Sequence, residues 1–243
     1  MTSMQGKVAV VTGGTRGLGA AIALEFCRRG VQVIANHVGE SAGELACDIR
    51  ELPGTITTVR ADIATAEGVG ELFDAVEYGR VDYFVHNAAI FRPMSALAPD
   101  VDSFERSMAV TLGPFLYGAA RLAQLMPDGG RVIAISSNGS QATIPQYLAT
   151  GVAKAALESL IRYLAVELAP RGIAVNAVRT ALLDKGAETG NPRVSSILAA
   201  RTPGGHLTLP ADVADAVVLL CMPEVHWLQG QTVTVDGGLC LSG

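Results

Sequence analysis

The chain has 243 residues, 49% of them hydrophobic and 17% charged, which suits one large packed core and excludes a largely disordered polypeptide. Its formal net charge of -5 comes without any basic run, so a nucleic-acid-binding surface is not expected. Glycine or charge interrupts every apolar stretch before it is long enough to span a bilayer.

In chain order, Lys7 to Thr12 is a short β-branched run that predicts a buried strand. The loop GGTRGLG, from Gly13 to Gly19, follows at once, then a helical stretch ending on Gly30 and a second strand from Val31 to Ala35. Together these make one βαβ unit with a right-handed crossover. The alternation continues with a helix from Ser41 to Leu52, a strand from Thr55 to Arg60, a helix from Thr65 to Glu77 and a strand from Val81 to His86. A long helix is expected from Val101 to Met126, disturbed at Gly113 and Pro114. Arg131 to Ser136 is the fifth strand, Gln146 to Ala169 a long helix and Ile173 to Ala177 the sixth strand. Thr180 to Gly205 has weak periodicity and reads as a mobile lobe over a site. Pro210 to Cys221 is a helix, and Gln231 to Val235 is the last strand. Such regular alternation predicts a Rossmann-type, doubly wound α/β fold, a parallel sheet of about seven strands with helices on both faces. No linker or repeat divides it, so a single domain over 1–243 is expected, with the substrate-covering lobe at 180–206.

The glycine loop has the spacing G-x-x-x-G-x-G between first strand and first helix. Glycines allow a tight turn and close backbone approach, and a helix N-terminus attracts a pyrophosphate. A NAD-binding unit usually ends its second strand on an acid for the ribose 2′-hydroxyl. Asn36 and His37 stand there instead, and Arg16 sits inside the loop where a 2′-phosphate would lie. These residues point to NADPH over NADH. Arg16 merely meeting solvent or a carboxylate is the plainer alternative.

TGGTRGLG after the first strand, Asp62 after the third and HNAA after the fourth resemble the short-chain dehydrogenase/reductase family. So do the pair Ser136 and Ser137 after the fifth strand, the following helix with tyrosine and lysine, and VTVDGG near the C-terminus. The resemblance covers nearly the whole chain. It implies hydride transfer with a nicotinamide and a homodimer or homotetramer built on the two long helices. It also implies a cofactor site formed by Gly13, Thr15, Arg16, Gly17, Leu18, Gly19, Asn36, His37, Asp62, Ile63, Asn87, Ala88, Ala89, Ser136, Tyr147, Lys154, Thr180 and Leu183. In that site Asp62 and Ile63 hold the adenine, and Asn87 to Ala89 line the nucleoside. Asn87 also has a structural reading, as a tie between strand ends.

Most members of that family carry tyrosine four residues before the lysine. Here Thr150 holds that position before Lys154, while Ser137, seventeen residues before the lysine, keeps the family's register. The tyrosine is Tyr147, seven before Lys154. On a helix, three residues advance about 4.5 Å and turn about 300°, so Tyr147 would lie nearly one turn further from the lysine on the same face. In a ketone the charge develops on the oxygen next to the carbon that takes hydride. In a conjugated enoyl thioester it develops several bonds further along, which a displaced phenol suits. The spacing Tyr-x6-Lys resembles the enoyl-acyl-carrier-protein reductases of the family, and IPQYLATGVAKAALESLIRYLAVELAPRGIAVNAV is similar to their corresponding segment. The resemblance gives Lys154 the nicotinamide ribose, Tyr147 the thioester carbonyl and Ser137 an accessory place among the catalytic residues. Val110 stands where the family often has the Asn of a proton relay, which leans the same way.

The sequence reading is thus an NADPH-dependent reductase of a carbonyl-conjugated double bond, acting on a small or acyl-carrier-bound thioester. Two alternatives stay open: a ketoreductase of fatty-acid, polyketide or other secondary metabolism, and a cofactor-binding protein without catalysis. Lys154 and Tyr147 have plainer readings too, although a lysine on an apolar helix face needs a partner. Cys27, Cys47, Cys221 and Cys240 read as buried reduced thiols, and His37, His86, His206 and His226 lack ligand spacing, so no metal is expected. His86 reads as structural, and Trp227 as buried at a subunit or C-terminal contact. MTSMQGK leads into the first strand without a signal-peptide pattern, so the expected location is the cytosol.

Overall fold

The computed structural model describes residues 4–39, 45, 51–77, 79–186 and 189–241. The helix expected from Ser41 to Leu52 falls almost wholly outside the described residues, and Cys47 lies outside them. Seven strands appear: β1 (Val8–Thr12), β2 (Gln32–His37), β3 (Thr55–Arg60), β4 (Tyr83–His86), β5 (Gly130–Ser137), β6 (Ile173–Thr180) and β7 (Thr232–Val235). All pair in parallel, in the order β3-β2-β1-β4-β5-β6-β7. The expected doubly wound sheet is therefore present. Its central strands are buried on both faces, which is why they read as unbroken apolar runs in the sequence.

Six α-helices flank the sheet: α1 (Gly17–Arg28), α2 (Ala66–Asp74), α3 (Val101–Leu125), α4 (Leu148–Leu168), α5 (Pro192–Arg201) and α6 (Pro210–Leu220). Alternate residues of one strand feed opposite cores. Val8 and Val10 pack with Leu72, Phe115, Leu157 and Ile161 from α2, α3 and α4. Ala9 and Val11 pack with Ile22, Phe26, Val213 and Val217 from α1 and α6. Among the described residues, no helix is long and apolar enough to cross a membrane.

Two expectations need correction. The long helix α3 is not broken at Gly113 and Pro114. The helix runs on through Pro114, although its ring removes one N–H donor and crowds the carbonyl four residues back, and Gly113 has a packing reason: a Cβ there would stand 2.5 Å from the Ile63 carbonyl oxygen. Within the stretch Thr180 to Gly205, read from the sequence as a lobe of weak periodicity, α5 forms. Asn191 caps α5 by accepting from the Arg193 N–H at 3.0 Å, Pro192 opens it, and the Asp184 N–H donates to the Thr208 carbonyl at 2.9 Å. Cys240 is exposed rather than buried.

Candidate active site

The strand order turns back between β1 and β4, and in open parallel sheets ligands bind outside the carboxyl ends of the strands at such a switch point. The glycine loop leaves the end of β1, and Asn87, Ala88 and Ala89 follow the end of β4. Ser137 closes β5 and Thr180 closes β6.

Gly13 and Gly17 have φ of +59° and +51°, in the left-handed region that glycine tolerates. A Cβ on Gly19 would fall 1.9 Å from the Gly13 carbonyl oxygen, whereas one on Gly17 would meet nothing within 4 Å. Gly19 thus closes the turn against itself, while Gly17 borders open space. The Arg16 side chain does not cap α1, and Arg16 at the N-cap is exposed, with no ion-pair partner among the described residues. Across the crevice, Thr180 Oγ is buried without a hydrogen-bond partner. Thr15 and Leu18 are buried beneath the loop. A helix N-terminus, an exposed guanidinium without an ion pair and an orphaned hydroxyl fit the phosphates of a dinucleotide.

Other residues expected there are partly spoken for. Asn36 is buried; its Nδ2 donates to the Ala61 carbonyl at 2.9 Å, and its own carbonyl accepts from the Gly14 N–H at 2.9 Å. It knits the glycine loop to β3. His37 is half-buried with Nδ1 3.0 Å from the Gly39 carbonyl. Both Asp62 oxygens accept from Arg106 Nη2, at 2.7 and 2.8 Å, while Ile63 is buried. Asn87 Nδ2 donates to the carbonyls of Thr12 and Gly13 at 3.2 and 3.1 Å, tying β1 to β4. Leu183 bridges to Thr208.

His86 is fully buried. Its Nε2–H donates to the Thr111 carbonyl at 2.9 Å, so Nδ1 accepts from the Thr12 hydroxyl at 2.8 Å, and Thr12 Oγ accepts from the Asn87 and Ala88 N–H groups. Burial, with the Lys154 charge adding to it, pulls the imidazole pKa down to about 3, so the ring is neutral and fixes the ends of β1 and β4.

Tyr147 lies at the N-cap of α4, with φ -114° and ψ 18°, rather than inside the helix. Gln146 before it has φ +61°, a left-handed conformation costing a non-glycine residue on the order of 1–3 kcal/mol, which stops α4 from extending back to residue 146. Tyr147 therefore stands at the very start of α4, its carbonyl accepting from the Gly151 N–H at 2.8 Å, with a strained turn just before it. The Tyr147 phenol donates to Ser137 Oγ at 3.3 Å, and its ring lies 5.4 Å from Phe91. Burial raises the Tyr147 pKa, with the Ser137 contact opposing the rise. Thr150 is buried and gives its hydroxyl to the Ile90 carbonyl at 3.2 Å, and the Met94 N–H donates to the Gln146 carbonyl at 2.9 Å. The loop after β4 is thus stitched to the tyrosine turn at both ends. Lys154 is buried, donates to the Ile135 carbonyl at 2.7 Å, and has its pKa lowered to about 8 by desolvation.

A family model described as enoyl-(acyl carrier protein) reductase matches residues 13–240. The chain belongs to the short-chain dehydrogenase/reductase family. It is 38% identical over 255 residues to the 1-cyclohexenylcarbonyl-CoA reductase of Streptomyces collinus, covering 99% of this chain and 89% of that protein. Among solved structures it resembles LugOII, a promiscuous reductase that catalyses keto-reduction at C1 during lugdunomycin biosynthesis. The TM-score is 0.90 at 32% identity, with 99% of this chain and 100% of that one covered. The angucycline C-6 ketoreductase LanV, with bound NADP, aligns with a TM-score of 0.89 at 31% identity, covering 98% of this chain and 97% of that one.

Within this short-chain dehydrogenase/reductase the sequence reading missed one group. Ser136, expected to face a cofactor, gives its hydroxyl to Glu158 Oε1 at 2.6 Å, as does Ser140 at 2.6 Å. Arg179 holds the same carboxylate through Nε at 3.0 Å and Nη2 at 2.6 Å. Burial pushes the Glu158 carboxyl up, but its bonds from Arg179, Ser136 and Ser140 outweigh that and hold it below the usual range. The signal was available: an arginine inside the largely apolar strand IAVNAVRT needs a buried partner, and Glu158 stands one turn after Lys154.

Proposed function

We propose that the protein is an NADPH-dependent reductase of carbon–carbon double bonds conjugated to a carbonyl, with an acyl thioester as substrate class. The observation carrying this is the place of the phenol. Tyr147 stands seven residues before Lys154, while Thr150, four before it, spends its hydroxyl on the Ile90 carbonyl. The name of the Streptomyces collinus relative supports a conjugated thioester.

A bound nicotinamide supplies the hydride. Lys154, held by Ile135, orients its ribose, and Arg16 with the N–H groups opening α1 takes the phosphates, including the 2′-phosphate. As hydride reaches the substrate β-carbon, the π electrons move toward the thioester oxygen. The Tyr147 O–H hydrogen-bonds that enolate oxygen, with Ser137 fixing the phenol's direction; the α-carbon then takes a proton from solvent water as the enolate C=C electrons form the new C–H bond and the thioester C=O is restored. The neutral phenol suits a donor at neutral pH, since burial raises its pKa. Tyr147→Phe is expected to lower kcat for an enoyl thioester about 100-fold with NADPH affinity kept, whereas Thr150→Val leaves kcat within about threefold. The reverse ranking in steady-state kinetics would contradict the assignment.

A ketoreductase is the second reading. It is favoured by the Tyr147–Ser137 contact, a hydroxyl pair able to hold a ketone oxygen, and by the reactions named for LugOII and LanV.

A further inference from the structure

Glu158 sits behind the site, and its contacts bracket it. Ser136 and Ser140, one on each side of Ser137 and the turn after it, both donate to Oε1. Ser137 itself closes β5, and its Oγ accepts from the Gly139 N–H at 3.3 Å. Gly139 presses on the catalytic ring: a Cβ there would stand 2.6 Å from Cε1 of Tyr147. A small shift of the turn therefore moves both the Ser137 hydroxyl and the wall against the phenol. Arg179, from the neighbouring strand β6, neutralises the carboxylate and holds it in place by two bonds. A carboxylate with this many donors is a rigid anchor, because each bond to a charged acceptor is strong and the geometry leaves it one arrangement.

We propose that Glu158 is a positioning residue for the reaction: by gathering the Ser136 and Ser140 hydroxyls it sets where Ser137 Oγ stands against the Tyr147 phenol. The proposal rests on the role given above to Ser137 and Tyr147, and holds whichever of the two substrate classes is reduced. It predicts that the turn acts through Ser137 and not through general stability.

A double-mutant cycle tests this, using Ser140→Ala because that change leaves Glu158 paired with Arg179 and unburdens no charge. Ser140→Ala is expected to lower kcat about tenfold, with KM, NADPH affinity and melting temperature little changed. In a Ser137→Ala background the same substitution should change kcat by less than about twofold, since coupled residues are not additive. Ser136→Ala gives a second arm with the same expectation. Equal losses in both backgrounds, no loss in either, or a loss confined to NADPH binding would overturn the role of Glu158. If Ser137→Ala alone left kcat unchanged, the role of Ser137 would fall together with it. Additivity beside a slow Ser137→Ala enzyme would sink the Glu158 role alone.

Discussion

Lys154 shows at the scale of one residue how function strains a core. Its ammonium is buried with one backbone carbonyl as partner, and desolvation lowers its pKa from 10.5 to about 8. The unfolded chain holds that proton more tightly, so the folded state carries a penalty fully present below about pH 8. The penalty shrinks as pH rises through the window to 10.5. That lowering of the pKa corresponds to about 3 kcal/mol. Lys154→Met is therefore expected to make the cofactor-free protein more stable by about that much below pH 8, the gap closing toward pH 10.5. Thermal or denaturant unfolding across pH checks it; a variant less stable at pH 7, or a gap that widens with pH, would contradict the account.

At the scale of elements, the strands and the glycine loop were legible because burial on both sheet faces leaves its mark as apolar runs, and close backbone approach leaves glycines. The start of α4 was not, because nothing in the residue type of Gln146 announces φ +61°. α5 escaped for the opposite reason: none of its residues is buried, so it carries no apolar period, and only Asn191 and Pro192 mark its start. The Glu158–Arg179 pair was half-legible, since a charged residue in a buried strand implies a partner without naming it. The outer faces of α3 and α4 are a further element-level feature. Leu116 and Tyr117 are 64% and 54% exposed, and Tyr163 and Val166 are 70% and 75% exposed. Apolar side chains at this exposure on two adjacent long helices suit burial against a second copy of the chain. Analytical ultracentrifugation should show an oligomer that Tyr163→Glu together with Val166→Glu reduces to a smaller species. A parent protein already monomeric at micromolar concentration would refute this.

At the scale of the whole molecule, the topology puts the parts where the chemistry needs them. The reversal between β1 and β4 opens the crevice, and the glycine loop, the end of β4, Ser137 and Thr180 all border it from strand ends. Tyr147 reaches it from the turn before α4, anchored by the loop after β4 through Thr150 and Met94. The proposed choice of double-bond over ketone reduction rests on where that phenol stands. The most direct test supplies the purified protein with an enoyl thioester and the matching β-keto thioester side by side, each with NADPH and with NADH. The account predicts turnover of the enoyl substrate, faster with NADPH, and little of the keto substrate; turnover of the keto substrate alone would contradict it.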